Sequence, residues 1–318
     1  MKGSPSEGSP DGYRDGAALT GVAAAFVAIG LWSTNALAAR FALAELGVVQ
    51  VLALQFGVAA ATLATLRAAR RGRGRRSDQT SQRPLLRLPD VLGGVAVGVF
   101  GLTGTISLQY LAFATAPIVE ANVVAYGWPL FAALWVAVAY RTRRTLAGVP
   151  LAMIGFAGVA LILGSGGGFG STGAGSVGYV AALASAACMA FYTVASGRSR
   201  VPADASLLLA TLFGMICAVM LCVAGFAPWL WTSASLGAWA ASVYAGVGPM
   251  AGGFLLWSLA MSGDGAKRLA PLGYATPLLS TALLLLFGER LAPGALLGAM
   301  LVLICSIGVL IMDGKQRG

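Results

Sequence analysis

The sequence predicts an all-α membrane protein of ten transmembrane helices, built as two inverted five-helix repeats with both termini in the cytoplasm. Three observations carry this expectation. The chain is a series of apolar runs of near-membrane length, its basic residues fall on alternate connections, and a Tyr-x-x-Pro pattern recurs in each half.

Of the 318 residues, 58% are hydrophobic, 10% are charged and none is histidine. A soluble domain carries about 25% charge, so most of this surface is built to face something other than water. The apolar runs are 17–39, 48–69, 90–113, 118–140, 146–164, 176–197, 204–225, 236–261, 267–287 and 292–312. Each is close to the ~20 residues that cross the hydrocarbon. In lipid a segment must satisfy its own backbone hydrogen bonds, so runs of this length are helices. Barrel strands would be shorter and half polar.

In chain order, residues 1–16 are rich in Gly, Ser and Pro and lack an apolar core, which reads as a disordered cytoplasmic tail rather than a cleavable signal. Residues 17–164 form the first five-helix repeat, 165–175 a Gly-rich linker, 176–312 the second repeat and 313–318 a cytoplasmic tail. With the N-terminus inside, 19 of the 21 Lys and Arg residues fall on the cytoplasmic side, and Arg40 and Arg290 fall outside. Eight arginines (Arg67, Arg70, Arg71, Arg73, Arg75, Arg76, Arg83 and Arg87) share one loop. Their place between apolar runs marks a topogenic segment beside anionic lipid, so the net charge of +10 does not call for nucleic acid.

The repeat is visible as self-similarity. Residues 111–131 match 259–279 at an offset of 148, aligning Leu111 with Leu259, Tyr126 with Tyr274 and Pro129 with Pro277. Five helices per half is an odd number, so the second half is inverted, and such repeats place a solute site near the midplane at their interface. Gly94/Gly98, Gly248/Gly252 and Gly294/Gly298 have GxxxG spacing, which permits close helix approach.

No enzyme constellation is visible. Without histidine there is no Ser-His pair and no HExxH, and no acidic pair sits mid-membrane to hold a metal. Neither a cofactor nor a metal is expected. Cys188, Cys217, Cys222 and Cys305 lie inside apolar runs and read as packing residues.

Pro129 and Pro277 cannot donate to Ala125 and Gly273, so each is expected to kink its helix and free a carbonyl. Tyr126 and Tyr274 lie one turn away on the same faces, either lining a cavity or simply flanking a kink. Glu120, at the outer start of span four, is the one carboxylate near the membrane interior. It could pair with Arg40 at the outer end of span one, contact a substrate ammonium, or carry a proton. Asn35, beside Trp32, Ser33 and Thr34, needs a partner in hydrocarbon, whether a helix or a ligand. Trp128 and Trp257 sit deeper than an interfacial belt, and Tyr110, Tyr192 and Tyr244 join them as candidates for packing or for a mixed-polarity pocket. Lys267 and Arg268 open span nine, either snorkelling or drawing in an anion.

Trp32-Ser33-Thr34 with Arg40, Ser107-Leu108-x-Tyr110, Glu120 followed by Tyr126-x-Trp128-Pro129, and Tyr274-x-Thr276-Pro277-x-x-Ser280 resemble the drug/metabolite transporter superfamily. The likeness spans about 20–312 and includes the paired EamA-type repeats. Within the superfamily these residues are similar to the YddG-type bacterial aromatic amino-acid exporters. The resemblance implies a multi-pass protein of the bacterial inner membrane that exports aromatic and other neutral amino acids. Rocking of the two halves about a cavity between spans one, three, four, six, eight and nine would give alternating access. The substrate-binding set is then Trp32, Asn35, Tyr110, Tyr126, Trp128, Tyr192, Tyr244, Trp257 and Tyr274, with Pro129 and Pro277 as hinges and Arg40 and Glu120 as a charge pair or gate. The expected partners are the bilayer and a small neutral solute, with no nucleic acid, and the protein is expected to act as a monomer. Two other readings stay open: a carrier of anionic metabolites such as sugar phosphates or nucleotide sugars, which needs Lys267 and Arg268, and a non-transporting membrane partner or receptor.

Overall fold

A computed structural model of the chain describes residues 10–74, 88–141, 149–165, 174–196, 201–226, 234–260, 275–290 and 293–315. All regular structure among them is helical. The first path is α1 (Pro10–Ser33) and α2 (Asn35–Leu43), interrupted at Thr34, followed by α3 (Val48–Gly74). A three-part path follows: α4 (Leu88–Ala96), the π-helical segment π1 (Val97–Thr103) and α5 (Gly104–Thr115). Next come α6 (Ile118–Ala125), α7 (Trp128–Tyr140), α8 (Val149–Ser165), α9 (Ala174–Ser196) and α10 (Ala203–Val223). A second three-part path consists of α11 (Leu236–Ala245), the π-helical π2 (Gly246–Gly253) and α12 (Phe254–Ala260). The chain closes with α13 (Ala275–Leu286) and α14 (Pro293–Lys315).

Seven stretches among the described residues are long and apolar enough to cross a membrane: Thr20–Leu43, Val48–Arg70, Leu88–Thr115, Ile118–Ala139, Ser176–Ser196, Ala203–Val223 and Leu236–Ala260. Ala152–Ile162, Ala275–Leu286 and Gly294–Cys305 are shorter apolar helices. The helix α1 opens at Pro10, inside the segment expected to be a tail. The ninth apolar run is described only from Ala275, so Tyr274, Lys267, Arg268 and Gly273 lie outside the described residues.

Local chemistry sets the boundaries. Pro117 and Pro202 precede α6 and α10 in extended backbone, where a missing N–H costs no helical bond. Ser235 caps α11, its hydroxyl accepting from the Ala238 N–H. The helices α10 and α13 end in the same left-handed glycine motif. Gly225 (φ +86°) lets Phe226 N–H bond Leu221 O, and Gly288 (φ +90°) lets Glu289 N–H bond Leu284 O.

The interior is mostly apolar with a few buried polar side chains, and the outside is rich in large apolar ones. Gln50, Gln55, Gln109, Asn35, Asn122 and Glu120 are buried, whereas Val180, Met220, Leu236 and Leu286 are each more than 60% exposed. Apolar groups in such number on the outside of a helical bundle belong against lipid.

Packing is carried by helices far apart in sequence. The helix α3 lies along α10, α8 along α14, α9 along α5 and π1, and α1 along π2 and α12. Of the GxxxG candidates, Gly298 makes the closest crossing. A Cβ there would stand 2.4 Å from Gly158 O, so α14 and α8 touch backbone to backbone. The segments π1 and π2 begin at Val97 and Gly246, a separation close to the 148-residue offset of the sequence repeat. Wide turns of this kind gather at functional sites because they leave backbone groups unpaired and bend the helix path.

Candidate functional site

Four separate parts of the chain meet at residues 32–34, where α1 gives way to α2. The Trp32 indole donates to Pro249 O in π2 at 3.1 Å. The Tyr126 hydroxyl donates to Trp32 O at 3.4 Å. Ser33 Oγ lies 2.7 Å from Ile29 O and 3.4 Å from Thr276 O, reaching α13. Thr34 Oγ1 and the Tyr244 hydroxyl share a hydrogen bond of 2.7 Å. The Trp32 ring packs against Phe254 at 5.1 Å and Trp257 at 5.3 Å between centroids, and Tyr192 stands edge-on to Phe254 at 6.2 Å. The fit needs Gly253, because a Cβ there would come within 2.6 Å of the Trp32 indole nitrogen.

A few residues further along α2, the Tyr110 hydroxyl of α5 donates to Asn35 Oδ1 at 3.0 Å, giving the buried amide a helix partner. Gln55 of α3 is fully buried beside the Tyr110 hydroxyl, its polar neighbour, although neither of its amide atoms reaches good hydrogen-bond geometry. Native proteins rarely leave a buried amide poorly bonded, which sets Gln55 apart from its apolar surroundings on α3.

The two halves also meet on α6. Glu120 is buried and accepts a hydrogen bond from the Tyr179 hydroxyl of α9. Two residues on, Asn122 Nδ2 donates to Ser280 Oγ of α13 at 3.2 Å. Arg40 does not pair with Glu120. Its Nε lies 2.5 Å from Glu289 Oε1, and its Nη1 donates to Phe287 O at 3.0 Å. The reason is local: the Gly288 turn exposes the Phe287 carbonyl and swings Glu289 back beside the end of α2. At the same end of the bundle, Glu45 takes the Ser235 N–H at 2.6 Å and the Ser235 hydroxyl at 2.7 Å. These two bonds, the hydroxyl first, hold the Glu45 carboxyl below the usual carboxylate range.

A cavity of about 430 Å³ opens beside the Arg40–Glu289 pair. The ends of α2, α5 and α6 wall it with Leu43, Phe113 and Ile118, and the α2–α3 turn closes it with Leu46 and Gly47. Among the described residues, the charged ones that line it are Arg40 and Glu289.

Of the residues singled out from sequence, Trp32, Tyr126, Trp257 and Tyr192 converge around Phe254 and π2, while Asn35 and Tyr110 pair beside them. Tyr244 reaches the group only by its hydroxyl and is 40% exposed. Trp128 is half-buried at the start of α7. Pro129 does not kink a continuous helix. The chain stops at Ala125, turns through Tyr126 and Gly127, and restarts at Trp128, so Pro129 occupies a first-turn position where its missing N–H is harmless. Pro277 lies two residues after Ala275, where the description of α13 begins, and the chain path before it lies outside the described residues.

Sequence reasoning passed over Gln55, Phe254, Tyr179 and Glu289. Gln55 carried a signal, since an amide within an apolar run needs a partner as much as Asn35 does. Among the described residues no group of His, Cys, Asp and Glu converges to hold a metal.

Comparison with known proteins adds three findings. The EamA-like transporter family matches twice, at residues 19–164 and 176–311. The chain is 37% identical over 204 residues to the aromatic amino acid exporter YddG of Ancylobacter novellus, covering 63% of this chain and 69% of that protein. A crystal structure of a protein aligns with a TM-score of 0.63 at 32% identity, covering 92% of this chain and 97% of the other.

Proposed function

The chain belongs to the EamA-like transporter family, and from that premise we propose that it exports aromatic and other neutral amino acids across the bacterial inner membrane by alternating access. The observation that carries this reading is the chemistry around Trp32. Aromatic rings (Trp32, Phe254, Trp257, Tyr192) stand next to neutral hydrogen-bonding groups (Asn35, Tyr110, Gln55). Among the described buried polar side chains Glu120 is the one ionisable carboxylate, and no Lys or Arg is among them. A site of this kind favours an apolar or aromatic side chain and repels no net charge it would have to neutralise. The similarity to an exporter named for aromatic amino acids points the same way.

The architecture that goes with this function is ten spans in two inverted repeats, 17–164 and 176–312, joined by the 165–175 linker, with both termini cytoplasmic. The basic-residue distribution supports it. So does the packing, in which α3 meets α10 and α8 meets α14, the partners that a two-fold between the repeats would bring together. In this arrangement Trp32, Asn35, Tyr110, Tyr126, Trp128, Tyr192, Tyr244, Trp257 and Tyr274 line the path, and transport runs downhill in a monomer. The ends of α2 and α13 then lie on the periplasmic side.

The test is efflux from liposomes loaded with labelled amino acids. Protein-dependent release of phenylalanine, tyrosine and tryptophan is expected, with Trp32→Ala reducing it. Absence of protein-dependent flux for every amino acid in the panel would sink the proposal.

A further inference from the structure

The cavity beside Arg40 and Glu289 is separate from the Trp32 cluster, and nothing in the pathway described so far uses it. Its lining holds one guanidinium and one carboxylate, 2.5 Å apart, on otherwise apolar walls. An α-amino acid at neutral pH carries one carboxylate and one ammonium on a single carbon, so its head group is the mirror of this pair. We propose that the Arg40–Glu289 pair and its cavity form a vestibule site for zwitterionic α-amino acids. Arg40 takes the carboxylate, Glu289 takes the ammonium, and Phe113, Leu43 and Ile118 receive the side chain. The proposal rests on the exporter reading for the direction of travel, in which this is the last site before release.

Three features support it. The cavity volume, about 430 Å³, lies in the roughly 300–1,000 Å³ range of small-molecule sites. The ion pair is open to solvent, with 34% and 27% of the two side chains exposed, and exposed pairs are weak enough to exchange partners. The known contacts of Arg40, to Glu289 and Phe287 O, use two of the five N–H donors of its guanidinium, so a ligand carboxylate can be taken without stripping the anchor to Phe287 O. The paired charges cancel, so the site accepts a zwitterion and gains less from a bare amine or a bare acid.

Equilibrium binding to the purified full-length protein in lipid nanodiscs tests this, using labelled phenylalanine, phenylalaninamide and 3-phenylpropionate. Phenylalanine is expected to bind roughly tenfold tighter than either analogue. Arg40→Gln should erase the preference over the amide and keep the preference over the acid, and Glu289→Gln should do the reverse. Arg40→Lys and Glu289→Asp should retain both. Ile118→Trp, which fills the cavity and leaves both charges, should weaken phenylalanine by roughly tenfold. If the two neutralising variants weaken all three ligands alike, or change none, the pair is a plain structural tie and the proposal is overturned; unchanged binding in Ile118→Trp overturns it too. Liposome efflux separates this from the exporter reading. Flux that persists without head-group selectivity removes the vestibule site alone. Selective binding without amino-acid flux removes the exporter reading alone.

Discussion

The indole nitrogen of Trp32 donates to the carbonyl of Pro249 at 3.1 Å, bridging 217 residues of sequence. It ties the interruption between α1 and α2 to the π2 segment, two irregular stretches that neither helix would hold in place alone. The same ring meets Phe254 edge-on and Trp257 at a tilt, and is seated over Gly253.

This seat predicts that two chemically different changes have the same effect. Trp32→Phe removes the donor and leaves a carbonyl short of its bond, costing about 1 kcal/mol. Gly253→Ala removes nothing, yet its methyl group overlaps the indole, and overpacking of this kind costs about 1–3 kcal/mol. Both should lower the thermal midpoint and slow efflux. Gly30→Ala, where nothing lies within 4 Å, is the control and should leave both unchanged. A Gly253→Ala protein with wild-type melting and flux would show that the ring does not sit here.

Glu120 and Tyr179 predict a strong coupling across the two halves. A buried carboxylate that loses its hydroxyl donor, or a buried phenol that loses its acceptor, costs about 1–3 kcal/mol. Glu120→Gln and Tyr179→Phe should therefore be non-additive by about 0.5–3 kcal/mol in a double-mutant cycle. Glu120→Gln with Arg40→Gln should be additive within about 0.5 kcal/mol, because Arg40 is bound to Glu289 and Phe287 O and the two residues share no partner. Chemical denaturation in mild detergent measures both cycles.

Gly288 has a role that its surroundings alone would hide. Space around it is open, but its φ of +90° is one that a side chain resists, by about 1–2 kcal/mol. Gly288→Ala should strain the turn, displace the Phe287 carbonyl and Glu289, and free Arg40. Its melting loss should be largely absent in an Arg40→Gln background if the turn serves mainly to present those two acceptors.

The helices were legible because lipid imposes one rule on every span: a run of about 20 apolar residues. Where the rule is silent, the sequence was too. Pro129 is as compatible with a helix start as with a kink, and Gly127 just before it was the only hint that the chain breaks there. Of the three readings open for Glu120, charge alone suggests the Arg40 pair, whereas adjacency of helix ends is a tertiary fact. Glu289 lies in the turn after α13 and Tyr179 on α9, and no local pattern states which of them meets which end of α2 or α6. Trp32 and Tyr126 were visible because aromatic groups deep in a span are conspicuous; Gln55 and Phe254 merged into the apolar runs around them.

The tie between Glu45 and Ser235 gives a pH dependence whose sign follows from its chemistry. The carboxyl is held below its ordinary range in the folded state, mainly by the Ser235 hydroxyl and then by its N–H. The stabilisation is therefore complete above the unfolded carboxylate value of about 4.3 and is lost as pH falls through the depressed folded value. Melting curves of wild type should lose stability on acidification relative to Glu45→Gln, and the difference between the two should vanish at low pH. A constant difference across the range would mean that the carboxylate is not the group involved.

Gln55 separates stability from function most sharply. An amide buried with poor hydrogen-bond geometry at both polar atoms is a burden on the fold, because it gives up water for little in return. Gln55→Leu keeps the approximate volume and removes the poorly bonded groups, so it should hold or raise the thermal midpoint by up to about 1–3 kcal/mol of stability. If the amide is kept because a passing amino acid bonds to it, beside Tyr110 and Asn35, the same change should reduce efflux, with its largest effect on small polar substrates that have least aromatic surface to compensate. Gln55→Asn, which retains the amide but withdraws it by one methylene, should fall between the two in flux. A Gln55→Leu protein that is both more stable and fully active would mean that the substrate makes no bond to the amide.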